Sequence, residues 1–128
     1  MQAGLELAGA RADTASTPLK SAALRRDGAV IVLLALLPIR LRALAELELG
    51  RSLLRDARGF VVALAPEMTK TGAAWEAEAP EAVTAALARY VDEVRPWLMA
   101  RGEERHARVW VTRRGRPFDK EYLSRRIK

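Results

Sequence analysis

The chain has 128 residues, half of them apolar and 30% charged, which suits one globular domain with a core of ordinary size. It contains no cysteine, which excludes disulfide frameworks, thiol catalysis and zinc fingers, and one histidine, His106, which rules out a His-rich metal site and most Ser-His or Cys-His catalytic sets. The net charge of +6 is uneven: residues 1–100 carry twelve basic and twelve acidic side chains, residues 101–128 ten and four. A basic end on a neutral body points to a polyanionic partner, of which nucleic acid is the commonest. Trp110, Phe118, Tyr122 and Leu123, interleaved with those charges, mark the end as packed rather than a solvated tail. The longest apolar run, residues 29–37, is too short for a bilayer, which takes roughly 20 residues. It also lies too far from Met1, and lacks a cleavage site, to be a secretory signal. A cytoplasmic protein is expected, with no membrane, metal or cofactor.

Residues 1–16, rich in alanine, glycine and threonine without periodicity, read as a poorly ordered lead-in, and the folded domain as residues 17–128. Thr17-Pro18 supplies a cap and a proline at the first helical position, predicting a short helix through Leu24. Asp27 is placed to cap a second helix, apolar all round and hence buried, that stops at Pro38. A further helix then carries Arg40 and Arg42, with Leu41, Leu44 and Leu47 at helical spacing. From Arg51 the period becomes strand-like. Residues 52–55, a turn at 56–59 and residues 60–64 predict a hairpin, and the alternation of Trp75, Ala77 and Ala79 with Glu76 and Glu78 predicts a third strand with one wet face. Lys70 is displayed on the second connection, where Gly72 suits a tight turn. Pro80-Glu81 opens a helix with an apolar stripe of Val83, Leu87, Tyr90, Val91 and Val94, and Pro96 ends it or marks its last turn. Residues 97–106 read as a polar connection, 108–112 as a short strand, 113–117 as a basic turn, and Asp119 as the cap of a last helix bearing Tyr122, Leu123, Arg125, Arg126 and Ile127. The three tryptophans read as core. The fold class is α+β, a mainly helical body with a small three-stranded antiparallel sheet.

Four stretches in this order and spacing, within about residues 24–128, resemble the catalytic domain of the tyrosine recombinases, or phage integrases. Arg26-Asp27-Gly28, the apolar helix and Leu37-Pro38-Ile39-Arg40 match the segment where the family usually reads Thr-Gly-Leu-Arg. Thr69-Lys70-Thr71-Gly72 falls in the hairpin that carries the family's catalytic lysine. Pro80 onward fits the long helix that follows. Val109-Trp110-Val111-Thr112 with Arg113-Arg114-Gly115-Arg116-Pro117 matches the strand and turn before another helix. The departures are equally specific. Pro38 and Arg42 stand where the family commonly has glycine and serine. His106-Ala107-Arg108 lacks the His-x-x-Arg spacing, and neither that motif nor the tyrosine nucleophile that follows it occurs in the sequence. The DNA-clamping domain that normally precedes the catalytic one is also missing.

The resemblance implies an incomplete recombinase catalytic fold acting on double-stranded DNA in recombination or integration. Arg40 would be the first catalytic arginine, whose planar fork binds a phosphate bidentately and never deprotonates. Lys70 would be the general acid for the leaving 5′ oxygen. Arg42, Arg113, Arg114, Arg116, Arg125 and Arg126 would contact DNA phosphates. Without the second arginine and the nucleophile the chain is expected to bind but not to cleave by itself. The family packs further helices over the apolar one, so exposed apolar surface is expected on residues 29–37. Two other readings stand beside this one: a non-enzymatic basic module that docks on DNA or RNA, and an interaction fragment that pairs with full-length recombinase protomers.

Overall fold

The computed structural model describes residues 17–126, the side chain of Arg126 excepted; the expected lead-in at residues 1–16 and Ile127 fall outside the described residues. The Thr17 hydroxyl accepts the Lys20 N–H at 3.1 Å, and Pro18 takes the first helical position. Helix α1 then runs unbroken over Pro18–Leu36, so the two expected helices are one. Asp27 caps nothing; it sits mid-helix with its carboxylate on Arg26, 2.9 Å from Nε. Gly28 costs about 1 kcal/mol inside a helix, yet Gly28, Ala29, Val30, Val32 and Leu33 are all buried, and that burial carries the helix through. The helix ends at Leu37, extended at φ −121° and ψ 133°, as the residue before a proline must be. After the Pro38–Arg40 corner comes α2, Leu41–Ala45.

Strands β1 (Leu53–Asp56), β2 (Gly59–Leu64) and β3 (Trp75–Glu78) form an antiparallel sheet in the order β1-β2-β3. The Asp56 carboxylate accepts the N–H groups of Arg58 and Gly59, which closes the first hairpin. Along β2 buried and half-buried residues alternate; Phe60, Val62 and Leu64 face the helices, as the period of two requires. Arg55 lies over the Phe60 ring and holds Asp92 in a two-pronged pair at 2.7 and 3.0 Å, tying β1 to the long helix. That pair raises the Arg55 pKa and lowers the Asp92 pKa.

The helix after Pro80 continues through residues 81–99: α3 (Glu81–Arg89), a π-helical stretch (Tyr90–Val94) and α4 (Arg95–Met99). Trp97 to Met99 therefore belong to the helix rather than to a polar connection, and Leu98 is fully buried. Pro96 has no N–H, and its ring crowds the preceding turn. The π stretch widens the turn just ahead of it, with the Arg95 N–H bonding back to Tyr90 O.

Residues 107–112 are not a strand. Glu48 bridges Arg108, and Leu49 and Val109 exchange backbone bonds with residues 107 and 47; two residues on, Val111 bridges Pro117. Each half finds a different neighbour, so no ladder forms. Val109, Trp110 and Val111 are all fully buried, which removes the alternation that a half-wet strand would show. The last helix, α5 (Lys120–Arg126), is capped as expected by Asp119, whose carboxylate accepts the Tyr122 N–H at 2.7 Å.

The core gathers α1, the 81–99 helix, the inner face of the sheet and the 109–118 segment. Val30, Val32 and Leu33 are at most 1% exposed, so the bare apolar surface expected on α1 is absent there; the 81–99 helix packs along it and Arg26 ties it to Val111. Among the described large apolar residues only Leu54 and Trp97 are exposed. Tyr90 binds the centre together: its hydroxyl donates to Val109 O at 2.7 Å and accepts the Val111 N–H at 3.1 Å, and burial pushes its pKa well up. Tyr90→Phe leaves both backbone groups buried and unmet, and should cost about 2 kcal/mol in urea unfolding. A change within error would mean that water replaces the hydroxyl.

The architecture is α+β, a helical body with a small three-stranded antiparallel sheet. No helix among the described residues is long and apolar enough to cross a membrane.

Candidate nucleic-acid interface

The corner between α1 and α2 faces the connection between β2 and β3, and a cleft of about 280 Å³ lies between them. Its lining includes Pro38, Ile39 and Arg40 from the corner, and Met68, Thr69, Lys70, Thr71 and Trp75 from the other side. Pro38 forces the chain out of α1, and Ile39 is buried beneath, so the Arg40 backbone sits on a fixed support as first residue before α2; its carbonyl accepts the Leu44 N–H. The Lys70 loop is held by its own side chains. Thr69 Oγ1 lies 2.8 Å from Ala73 O and 3.1 Å from Pro66 O, one proton shared between two carbonyls, and Gly72 turns the chain at φ +75°. Both the Arg40 and Lys70 side chains are exposed, and neither has a hydrogen-bond or ion-pair partner among the described residues. Two cations, thirty positions apart in sequence, therefore meet across one cleft with their donors unused.

The other candidate cations are distributed differently. Arg42 is exposed and spends part of its charge on Glu46, 3.2 Å away. Arg40 and Arg42 also border a small pocket with Glu46 and Glu67. Arg125 is exposed on α5, the helix that packs against α2; the Arg126 side chain is outside the described residues. Arg113, Arg114 and Arg116 are exposed on the basic turn, and none of them lines the first cleft. Arg114 and Arg116 line a second one of about 480 Å³ with Arg101, Glu103 and Glu104. This turn is rigidly built. The Thr112 hydroxyl accepts the N–H groups of Arg114 and Arg116, Arg101 donates to Arg113 O, and Gly115 turns at φ +78°. His106 braces it: Nδ1 accepts the Arg108 N–H and Nε2 reaches Gly115 O at 3.2 Å, which assigns the ring proton to Nε2. Half-buried Arg95, its pKa lowered by burial, donates to the carbonyls of His106 and Arg108 behind it.

Two residues escaped the sequence reading. Trp75 packs against the core as expected but also lines the first cleft, a position signalled only by its place at the start of β3 directly after the Lys70 loop. Trp97, also expected in the core, is 39% exposed and carries Arg101 over its ring at 5.3 Å. Neither tyrosine is available near the cleft: Tyr90 is buried and doubly bonded, and the Tyr122 hydroxyl sits against Arg26 in another part of the molecule. The hydroxyl groups lining the cleft are those of Thr69 and Thr71. Among the described residues no cluster of three or more histidine, aspartate or glutamate side chains is placed to hold a metal ion. No protein-family model, no curated protein and no solved structure matches the chain.

Proposed function

We propose that this chain is the front part of a tyrosine recombinase catalytic domain and binds the phosphate backbone of double-stranded DNA. The observation that carries the reading is the meeting of Arg40 and Lys70 at one cleft with free donors. A phosphate seated there would take two charge-assisted hydrogen bonds from the Arg40 fork and a point charge from Lys70, a combination that suits a crowded phosphoryl oxygen. In strand cleavage Arg40 would stabilise the charge that builds on the non-bridging oxygens, and Lys70 would protonate the leaving 5′ oxygen. The sequence supplies no His-x-x-Arg, and both tyrosine hydroxyls are engaged elsewhere, so these residues by themselves bind and do not cut.

The test is duplex binding across a salt series. Arg40→Ala should weaken binding about tenfold and flatten the slope of log affinity against log salt by about one, as loss of one phosphate contact does. One observation favours a second reading, a non-enzymatic basic module: Arg114 and Arg116 line a cleft that shares no residue with that of Arg40. That reading gains if Arg40→Ala leaves binding unchanged while Arg113→Ala or Arg116→Ala reduces it.

A further inference from the structure

The lining of the Arg40–Lys70 cleft is mostly apolar: Pro38, Ile39, Leu64, Met68 and Trp75 form much of it, and its only charges are Arg40 and Lys70. A phosphodiester alone gains nothing from such a lining, because an anion set against carbon loses hydration without a replacement. An intact duplex presents its phosphates on a convex ridge and keeps its bases stacked behind them, so it would meet the two cations and leave the apolar part empty. At about 280 Å³ the cleft stands near the lower end of ligand-binding clefts, which run from roughly 300 to 1,000 Å³. That is room for one nucleoside-sized group. Trp75 is half-buried and opens onto the cleft, and its π-face suits any base. The Thr71 hydroxyl accepts the Ala73 N–H at 3.4 Å and keeps its own proton to donate.

We propose that this cleft holds one unpaired nucleotide of a single DNA strand, its phosphate between Arg40 and Lys70 and its base against Trp75. The proposal rests on the DNA-binding reading above and adds to it: the form of DNA preferred is a single strand or a frayed end. An aromatic stack on one base predicts a preference over duplex of about tenfold at equal salt.

The experiment compares a short oligothymidylate, a blunt duplex of the same length and thymidine monophosphate, read by tryptophan fluorescence. A Trp97→Phe background isolates Trp75, because Trp110 is fully buried. Tighter binding of the oligothymidylate with quenching of Trp75 is the expected result. Ala74→Glu, at an exposed position on the cleft wall, should abolish the preference without touching the core. Trp75→Leu should abolish it and Trp75→Phe keep it, both read by anisotropy of end-labelled DNA because the reporter is gone. Equal or tighter binding of the duplex overturns the proposal, and so does a strand preference that survives Ala74→Glu. Quenching by the monophosphate with no strand preference overturns it as well and assigns the cleft to free nucleotides. Duplex binding that falls with Arg40→Ala but shows no strand preference removes this inference alone; no binding of any DNA removes the DNA reading with it.

Discussion

Arg26→Met should lower the unfolding free energy by about 3 kcal/mol, and Arg26→Ala by more, because Arg26 is a fully buried cation whose partners cannot follow it out. Its Nε donates to Asp27 Oδ1 at 2.9 Å, and Nη2 lies at the same distance in ion-pair contact without the alignment of a hydrogen bond. Nη1 donates to Val111 O at 3.2 Å and approaches the Tyr122 hydroxyl at 3.5 Å. The guanidinium also lies over the rings of Phe118 and Tyr122, at 5.0 and 5.6 Å. One side chain thus joins α1 to the 109–118 segment and to α5. Methionine fills most of the volume, so Arg26→Met isolates the polar loss, and alanine adds a cavity to it. Lysine would not rescue, since a single ammonium cannot reach the carboxylate and the carbonyl from one position. Denaturant unfolding gives the magnitude. Native-state hydrogen exchange gives the place, with protection in α5 falling before that in α1 or the sheet. An Arg26→Met variant within about 0.5 kcal/mol of the parent would show that desolvation cancels all these contacts, as it does in some buried pairs.

Arg26 was hidden in the sequence by one misplaced break. Read as a single helix, Ala22, Arg26, Ala29, Val30 and Leu33 lie on one stripe, and an arginine in such a stripe declares itself buried. Asp27-Gly28 looks like a cap followed by a breaker, and dividing the helix there destroys the phase that exposes the arginine. Local chemistry was obeyed at Thr17, at Asp119 and at the Asp56 turn, where the capping atoms sit within three residues of what they cap. It failed at Asp27, where burial of the surrounding helix outweighs an unfavourable Gly28. The sheet was legible because a local turn separates two short runs at residues 52–55 and 60–64, and because β3 alternates apolar and acidic side chains. The 108–112 segment was not, because its pairing depends on residues 47–49, some sixty positions away.

The candidate site divides in the same way. Arg40 and Lys70 each sit in a short recognisable stretch, and the corner and the loop that carry them are set by Pro38 and by Thr69 with Gly72, all local signals. That Trp75 completes their cleft, and that the basic turn faces a different one, depends on how the sheet and the 81–99 helix are placed, which no window of sequence contains. Charge counting located a basic end but could not say that Arg114 and Arg116 of that end line one cleft while Arg40, outside it, lines another.

The basic turn owes its position to a contact between two glycines, and Gly115→Ala should cost about 3 kcal/mol or more, a fall in melting temperature of roughly 10 °C. A Cβ on Gly115 would stand 2.7 Å from Gly102 N, 2.9 Å from Gly102 Cα and 3.0 Å from Leu98 O, all of them backbone atoms at the end of the 81–99 helix. The residue also sits at φ +78°, which strains any side chain. Gly102→Ala separates the two causes: its added Cβ would clash with the Arg114 carbonyl oxygen, with no left-handed φ to add to the clash. Gly72→Ala separates them from the other side, since φ is +75° but no atom lies within 4 Å, and only about 1 kcal/mol of backbone cost remains. If close approach fixes the turn, the order of loss is Gly115→Ala, then Gly102→Ala, then Gly72→Ala. The first two should also release His106 from Gly115 O, which imidazole chemical shifts would report; under the DNA-binding proposal they should also alter any binding through Arg114 and Arg116 and leave that through Arg40 intact. Equal losses at Gly72 and Gly115 would mean that the helix end yields to the added carbon, and that φ alone, not the glycine contact, holds the arginines of the turn in place.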